Sequence, residues 1–271
     1  MDYSESKLPP TYDVAENELP YQIKLALWQT AFGLQKVDGL SPSEYMVELA
    51  YENIEGKKGY DAIYREISDY HREALVDANT VEADIVSLRI AELLAEDHFL
   101  LSPSTLLGIH RHLFTDVFSE EIPVGKFRKV NITKKEPVLD GDTVQYSSHF
   151  MIQDTLVYDF EREQNFSYAG LTNEQKALHA MTFLADIWQV HPFREGNTRT
   201  VAVFGIQYLR KLGFHIDNSL FSEHAAYFRN ALVLYHYHGE KQDKQFLKMF
   251  FENLLLGKKN VLLDEDMYAK E

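Results

Sequence analysis

Five residues between positions 191 and 199 supply the groups that phosphate chemistry requires. His191, with an ordinary pKa of about 6.5, can take a proton from a hydroxyl near neutral pH. Glu195 suits Mg²⁺, which binds through one or two carboxylates and substrate phosphates. Gly196 lets backbone amides approach an anion and, with Asn197, suits an anion-binding turn, while Arg199 can grip two phosphate oxygens. The cluster indicates phosphoryl or nucleotidyl transfer.

Each of these residues also has a purely structural interpretation. A histidine before a proline, as at His191, is commonly part of a turn. Glu195 and Arg199 are spaced i to i+4 and could form a surface ion pair worth about 0.2–0.5 kcal/mol. Their ordered combination within nine residues favours the functional interpretation.

Two core helices are predicted to position this loop. Residues 172–190 begin with a capping-box pattern, Thr172 and Gln175, and carry apolar side chains at helical spacing. Residues 201–212 are apolar on nearly every side, which predicts a buried helix that stops at Gly213. The loop therefore ends at a helix N-terminus, where unpaired amides and partial positive charge favour an anion.

The stretch from His191 to Arg199 resembles the Fic-domain signature, His-x-Phe-x-(Asp/Glu)-Gly-Asn-Gly-Arg-x-x-Arg. The resemblance implies a Fic helical bundle and transfer of AMP from ATP to a Tyr, Thr or Ser hydroxyl of a target protein, or of the chain itself. The implied roles are His191 as the base, Phe193 as a core anchor, Glu195 as the Mg²⁺ ligand, Gly196 and Asn197 as the anion hole, and Arg199 as the grip on the outer phosphates.

Two positions depart from that signature. Thr198 replaces the usual glycine, which places a side chain at the phosphate turn and leaves the preferred nucleotide open. Ala202 replaces the second arginine, the usual partner of an inhibitory glutamate. The resemblance further implies an aromatic residue against adenine, for which Tyr227 and Phe228 are candidates, and a later nucleoside contact at His236.

The resemblance also predicts a β-hairpin flap, at about residues 127–147, that docks the target segment. Alternating residues precede Asp140-Gly141, a strong two-residue turn signal between apolar and β-branched residues. Thr133, Lys134 and Lys135 would belong to this docking flap. In the alternative interpretation the hairpin is structural only.

Helical patterns fill residues 20–75. Within them, the stretch from Ser41 to Ile67 resembles the small antitoxin module that inhibits some Fic proteins. That module carries (Ser/Thr)-x-x-x-Glu-(Gly/Asn), of which the chain has no intact copy. Asp38-Gly39 and Glu55-Gly56 are partial matches, so Asp38 and Glu55 are the candidate inhibitory residues. Alternatively these helices complete the core. With Ala202 in place of the arginine, we expect the usual inhibition to be weakened or replaced.

Composition narrows the class of protein. The chain has 271 residues, a formal net charge of −15 and no cysteine. Such acidity argues against nucleic acid as a partner, and no apolar run approaches the roughly 20 residues that span a membrane. The absence of cysteine and of a signal-like N-terminus predicts a cytoplasmic location. Homo-oligomerisation would offer a way to regulate the site.

The predicted architecture is an all-α Fic bundle with one β-hairpin. Residues 1–76 form a helical regulatory segment, of which 1–19 are extended, residues 77–257 form the Fic domain, and residues 258–271 form a loose acidic tail. The predicted activity is Mg²⁺-dependent protein adenylylation with ATP as substrate. The alternatives are transfer of another nucleotide or of phosphate, and a nucleotide-binding regulator without transferase activity.

Overall fold

The computed structural model of the chain describes residues 19–216 and 219–268. Within them it contains ten α-helices and no β-strand, which confirms the all-α class. The predicted extended segment, apart from Leu19, and the last three residues of the predicted tail lie outside the described residues. The helices are α1 Tyr21–Gln35, α2 Glu44–Ile54, α3 Tyr60–Glu73, α4 Ala78–Ala95, α5 Pro103–Phe114, α6 Ile152–Gln164, α7 Asn173–Val190, α8 Asn197–Lys211, α9 Ser219–His236 and α10 Gln245–Leu256.

Helix α8 is the centre of the fold. Every side chain from Asn197 to Leu209 is buried, and the helix packs against α1, α4, α5 and α7. A helix with so little polar surface is stable only when neighbours cover it on most sides. The predicted buried helix is thereby confirmed, and its N-terminus is held in a fixed place.

Helix α7 delivers the chain to that N-terminus. Its predicted capping box is present: the Gln175 amide donates to Thr172 Oγ1 at 3.3 Å, and the Thr172 amide donates to Gln175 Oε1 at 2.9 Å. At its other end His191 adopts a left-handed conformation, with φ 50°. This turn reverses the chain into the loop that leads to α8.

The helices that precede α4 are packed onto the rest of the molecule. Helix α1 lies against α4 and α9, and a Cβ on Gly33 of α1 would lie only 2.2 Å from Ser222 Cα of α9. Buried Asp84 of α4 accepts from the Ser43 amide at 2.7 Å and contacts His71 Nε2 at 2.8 Å. This carboxylate thus joins the start of α2 and the end of α3 to α4.

The predicted β-hairpin does not form as paired strands, although its turn does. Asp140 and Gly141 both have positive φ, 55° and 89°, as a tight reversal requires. The chain instead enters the turn through a 3₁₀ helix, Pro137–Leu139. Two backbone bonds of Glu136 close the turn, from its amide to the Asp142 carbonyl at 2.9 Å and from the Gly141 amide to its carbonyl at 3.0 Å. Proline has no N–H to donate to a ladder. Val138 and Val144 are drawn into the core instead.

No helix in the described ranges is both long enough and apolar enough to cross a membrane.

Candidate active site

The loop between α7 and α8 is held in shape from inside and from outside. Internally, the Asn197 carboxamide accepts from the Phe193 amide and donates to the Phe193 carbonyl, both at 2.9 Å. Externally, buried Arg128 donates through Nε to the His191 carbonyl at 2.8 Å, and its amide donates to the Pro192 carbonyl at 2.8 Å. The Asn197 side chain therefore stabilises the loop. Because its carboxamide is engaged there, any anion hole here consists of backbone amides.

His110 is a further support that the sequence did not reveal. Its Nε2 lies 3.1 Å from the Glu195 carbonyl, and its Nδ1 accepts from the Gly125 amide at 2.9 Å. Since a carbonyl only accepts, Nε2 carries the proton and the ring is neutral. Burial lowers the pKa of His110 to about 4. This histidine ties the loop to the start of residues 125–147.

His191 lines a cavity, and one of its ring nitrogens has no hydrogen bond in the described structure. Its Nδ1 lies 3.2 Å from the Trp188 carbonyl and must donate to it, which leaves Nε2 with its lone pair. The ring stacks on Tyr146, with centroids 4.0 Å apart. Burial lowers the pKa of His191 to about 3, with a smaller contribution in the same direction from Lys134. The imidazole is therefore neutral at physiological pH, and Nε2 is able to accept a proton.

Gly196 and the first turn of α8 face the same cavity. Gly196 has φ 74°, and a Cβ there would lie 2.4 Å from the Phe114 ring, so only glycine fits without displacing that ring. The first amides of a helix have no partner within it. The amides of Asn197 and Thr198 are therefore free to bind an anion at the positive end of the helix.

Thr198, which departs from the signature, is used within the core. Its Oγ1 accepts from Trp188 Nε1 at 3.0 Å, and both side chains are buried. A glycine here would leave the buried indole N–H without this acceptor, which typically costs about 1–3 kcal/mol. The threonine that replaces the usual glycine thus supplies the acceptor for Trp188.

Arg199 is buried and already occupied. Its Nη1 donates to Gln35 Oε1 at 2.9 Å, and its Nη2 donates to Glu82 Oε1 at 2.6 Å. Its Nε lies 2.9 Å from Asp38 Oδ2, but the N–H does not point at that oxygen. Only 2% of Arg199 is exposed. In this arrangement the guanidinium cannot reach a phosphate.

The two candidate inhibitory residues have different positions. Asp38 lines the cavity and lies against Arg199. Glu55 is exposed at the end of α2, where it pairs with Lys57, and it does not line the cavity. Ala202 is buried among apolar side chains that include Leu184 and Phe228. This setting would not accommodate the arginine of the signature.

Glu195 lies exposed at the cavity rim. Partial desolvation raises the pKa of Glu195, and Asp38 contributes in the same direction, whereas Lys134 and Arg199 oppose the shift. The described residues contain no group of three or more His, Cys, Asp or Glu that could hold a metal by themselves. One carboxylate at the rim, beside a site for phosphates, still fits Mg²⁺ that arrives with its nucleotide.

The cavity has a volume of about 270 Å³. From the predicted flap, Thr133 and Lys134 line it, whereas Lys135 is exposed outside and Asp140 pairs with Lys241. The sequence did not single out the other wall residues. These are Ile132, Tyr146, Trp188, Arg194 and Arg229.

Three predicted nucleotide contacts are not in this cavity. Tyr227 and Phe228 are buried against Phe250 of α10. His236 contacts the Ala185 carbonyl through Nε2 at 2.9 Å, and burial lowers the pKa of His236 to about 4. The aromatic residues are therefore core, and His236 joins α9 to α7. Helical phase turns a different residue of α9 toward the cavity.

That residue is Arg229. Its Nη2 donates to Glu136 Oε2 at 2.6 Å, and the Glu136 side chain is fully buried. The second oxygen of Glu136 has no partner in the described structure, as is also true of the nearby Tyr146 hydroxyl. Glu136 thus holds Arg229 at the wall of the cavity and joins residues 125–147 to α9. Nothing local in the sequence indicates a pair 93 positions apart.

Comparisons with known proteins find similarity over the central part of the chain. Residues 100–209 match the model of the Fic/DOC family. Protein adenylyltransferase VbhT of Bartonella schoenbuchensis is 32% identical over 112 residues, which cover 40% of this chain and 21% of that protein. The probable protein adenylyltransferase y4lH of Sinorhizobium fredii is 32% identical over 122 residues, which cover 41% of this chain and 54% of that protein. The chain thus spans about a fifth and about half of these relatives.

The fold has a counterpart among solved structures. The N-terminal FIC domain of Bep8, a VirB-translocated effector protein of Bartonella sp. 1-1C, is similar, with a TM-score of 0.51 at 20% identity, over 66% of this chain and 84% of that one. The buried α8, the loop before it and the family match coincide in the same part of the chain. Residues 100–209 of this chain are thus similar to the Fic/DOC family, and they contain the whole loop between α7 and α8.

Proposed function

We propose that the chain transfers AMP from ATP to a hydroxyl group of a protein. The observation that carries the proposal is that His191 Nε2, the free amides of α8 and the Glu195 carboxylate meet at one cavity. The names of the two relatives, both adenylyltransferases, agree with it.

In the proposed reaction His191 acts as the general base. A hydroxyl of the target gives its proton to Nε2, and its oxygen attacks the α-phosphorus of ATP. The bond from that phosphorus to the bridging oxygen of the β-phosphate breaks, and pyrophosphate leaves with the electron pair. The negative charge of bound ATP raises the pKa of His191 from its low value in the free protein and favours the imidazolium.

The chain's own groups stabilise the developing charge. The Asn197 and Thr198 amides donate to phosphate oxygens from a fixed helix N-terminus, and fixed donors of this kind act without reorganisation. Glu195 would hold Mg²⁺, which when bound neutralises part of the triphosphate charge. Arg229 and Lys134 add positive charge to the cavity wall.

We further propose that the described arrangement is a restrained state. Arg199, the residue proposed to grip the outer phosphates, is held by Gln35, Asp38 and Glu82. Two of these three partners precede α2, in the segment predicted to be regulatory. The guanidinium becomes available to ATP only after it separates from at least Asp38.

The test is transfer from ATP labelled in either the α- or the γ-phosphate, in the presence of Mg²⁺. Acceptors are the chain itself and peptides that contain Tyr, Thr or Ser. We expect label only from α-ATP, with an intact-mass gain that matches AMP. His191→Ala should lower the rate about 10²–10⁴-fold, whereas the matched control His98→Ala, at an exposed histidine, should not change it.

The other outcomes are equally informative. Label from γ-ATP alone would identify phosphate transfer. Binding of ATP without any label would favour the regulator, and equal transfer by His191→Ala would overturn the assignment of the base.

A further inference from the structure

A run of lysines borders the catalytic cavity. Five of the ten residues from position 126 to 135 are basic and none is acidic, in a chain of net charge −15. Arg128 is buried in the loop support, but the other four side chains are exposed. We call them the basic strip: Lys126, Lys129, Lys134 and Lys135.

The charge of the basic strip is not neutralised within the described structure. None of its lysines forms an ion pair there. The three acidic residues that follow it are engaged elsewhere: Glu136 with Arg229, Asp140 with Lys241, and Asp142 with the Tyr237 hydroxyl. Glu120 and Glu121, before the strip, are exposed and form no ion pair in the described residues, and Glu195 shares the cavity with Lys134. Three of the four lysines of the strip lie within residues 129–135, where no acidic residue interrupts them.

The backbone of the same segment is also open to a partner. The amides of Asn131, Ile132 and Thr133 make no hydrogen bond within the described chain. The segment is nevertheless anchored at both ends, by the Arg128 amide on the Pro192 carbonyl at 2.8 Å and by the Lys134 amide on Thr143 Oγ1 at 3.2 Å. A fixed edge with free amides can pair with an extended peptide.

This edge leads to the proposed base. Arg128 holds the His191 backbone, while Ile132, Thr133 and Lys134 form part of the cavity wall that also contains His191. Arg194 lines the same cavity and is exposed, and its hydrogen bond in the described residues is to the Glu121 carbonyl, at 3.4 Å. A peptide on the edge therefore passes a cavity whose lining includes the cations of Lys134 and Arg194.

We infer that the target is a protein segment with aspartate or glutamate residues beside the modified hydroxyl, bound along the basic strip. The inference rests on the proposed function and adds the class of target. Lys134 faces the cavity and would also meet nucleotide phosphate, so Lys129 and Lys135, which do not line the cavity, are the residues that discriminate between targets.

The test separates docking from transfer. Three fluorescent peptides carry a central Phe, which cannot be modified, with acidic, neutral or basic flanks, and their anisotropy is measured with the full chain at low and high salt. We expect the acidic peptide to bind about tenfold more tightly than the neutral one, which corresponds to a few exposed ion pairs. The preference should largely vanish in high salt.

A charge-reversal variant supplies the control. Lys129→Glu/Lys135→Glu should lose the preference for the acidic peptide and favour the basic one. Lys211→Glu/Lys259→Glu makes the same change in net charge at exposed positions elsewhere and should retain the original preference. ATP binding, measured by calorimetry, should be similar in all three proteins.

The outcomes distinguish this inference from the proposed function. Equal binding of acidic and basic peptides, or an unchanged preference in the Lys129/Lys135 variant, overturns the inference even if AMP is transferred. The opposite result is a clear preference for the acidic peptide but no transfer of AMP to the matching Tyr peptides in the presence of ATP and Mg²⁺. It would support the docking surface and overturn the proposed activity.

Discussion

His191 and Arg199, on either side of the loop between α7 and α8, differ in whether their side chains are free to act. At the His191 end, the backbone is held by Arg128 and the free Nε2 faces the cavity. At the Arg199 end, eight residues later, the guanidinium is buried against Gln35, Asp38 and Glu82. The proposed base, His191, is thus free to accept a proton, whereas Arg199, proposed to bind the outer phosphates, is held by contacts within the protein. The difference arises because helices outside the loop reach only one of its ends.

The prediction with the largest expected effect concerns the contribution of Arg199 to the stability of the fold. Arg199→Ala leaves Glu82 and Asp38 close together without their cation, so we expect the free energy of unfolding to fall by about 3 kcal/mol. Urea denaturation measures this change. The control is Arg194→Ala, which removes an exposed arginine of the same loop and should alter stability by less than about 0.5 kcal/mol. Equal effects would mean that the Arg199 contacts contribute no net stability.

The next prediction concerns how the pKa of His191 makes the stability of the protein depend on pH. Burial lowers the pKa of His191 to about 3, below its ordinary value of about 6.5. As pH falls below 6.5, the unfolded chain takes up a proton before the native protein does, so stability is highest above 6.5 and falls toward pH 4. We expect this histidine to account for on the order of 2 kcal/mol of that loss.

The measurement is denaturation at pH 7, 5.5 and 4.5 for the wild type, His191→Asn and Arg199→Lys. His191→Asn should flatten the slope, whereas Arg199→Lys should leave it intact, because neither arginine nor lysine titrates in this range. His110 and His236, whose pKa burial also lowers to about 4, contribute to the remaining slope. A slope that His191→Asn does not change would show that the His191 ring is protonated in the native protein near pH 5.

The prediction with the smallest expected effect concerns the contact between Asp38 and Arg199. Asp38→Asn removes one of the two carboxylates that compete with phosphate for Arg199 but keeps the side-chain shape. We expect ATP to bind about tenfold more tightly, which is roughly 1.4 kcal/mol, as measured by calorimetry with Mg²⁺. Glu55→Gln, at the other candidate inhibitory residue, should change nothing. If Asp38→Asn leaves the affinity unchanged, Asp38 does not restrain the site.

Local patterns predicted much of the site because the causes are local. The capping box at Thr172, the apolar phase of α7 and α8 and the left-handed turn at Gly196 each depend on residues within one or two turns. Tyr227 and Phe228 lie outside the cavity, because sequence position on α9 does not say which of its faces the cavity occupies. The hairpin was wrong beyond its turn because core burial of Val138 outweighed strand pairing.

The sequence by itself determined the chemistry available: a histidine, a carboxylate and a helix N-terminus within one loop between two buried helices. Tertiary structure decided which groups are free to act. Arg199 meets Gln35 and Glu82 across separations of 164 and 117 residues, and Arg229 meets Glu136 across 93. Such pairs depend on how whole helices pack against one another, and neither spacing nor periodicity within a segment contains that information.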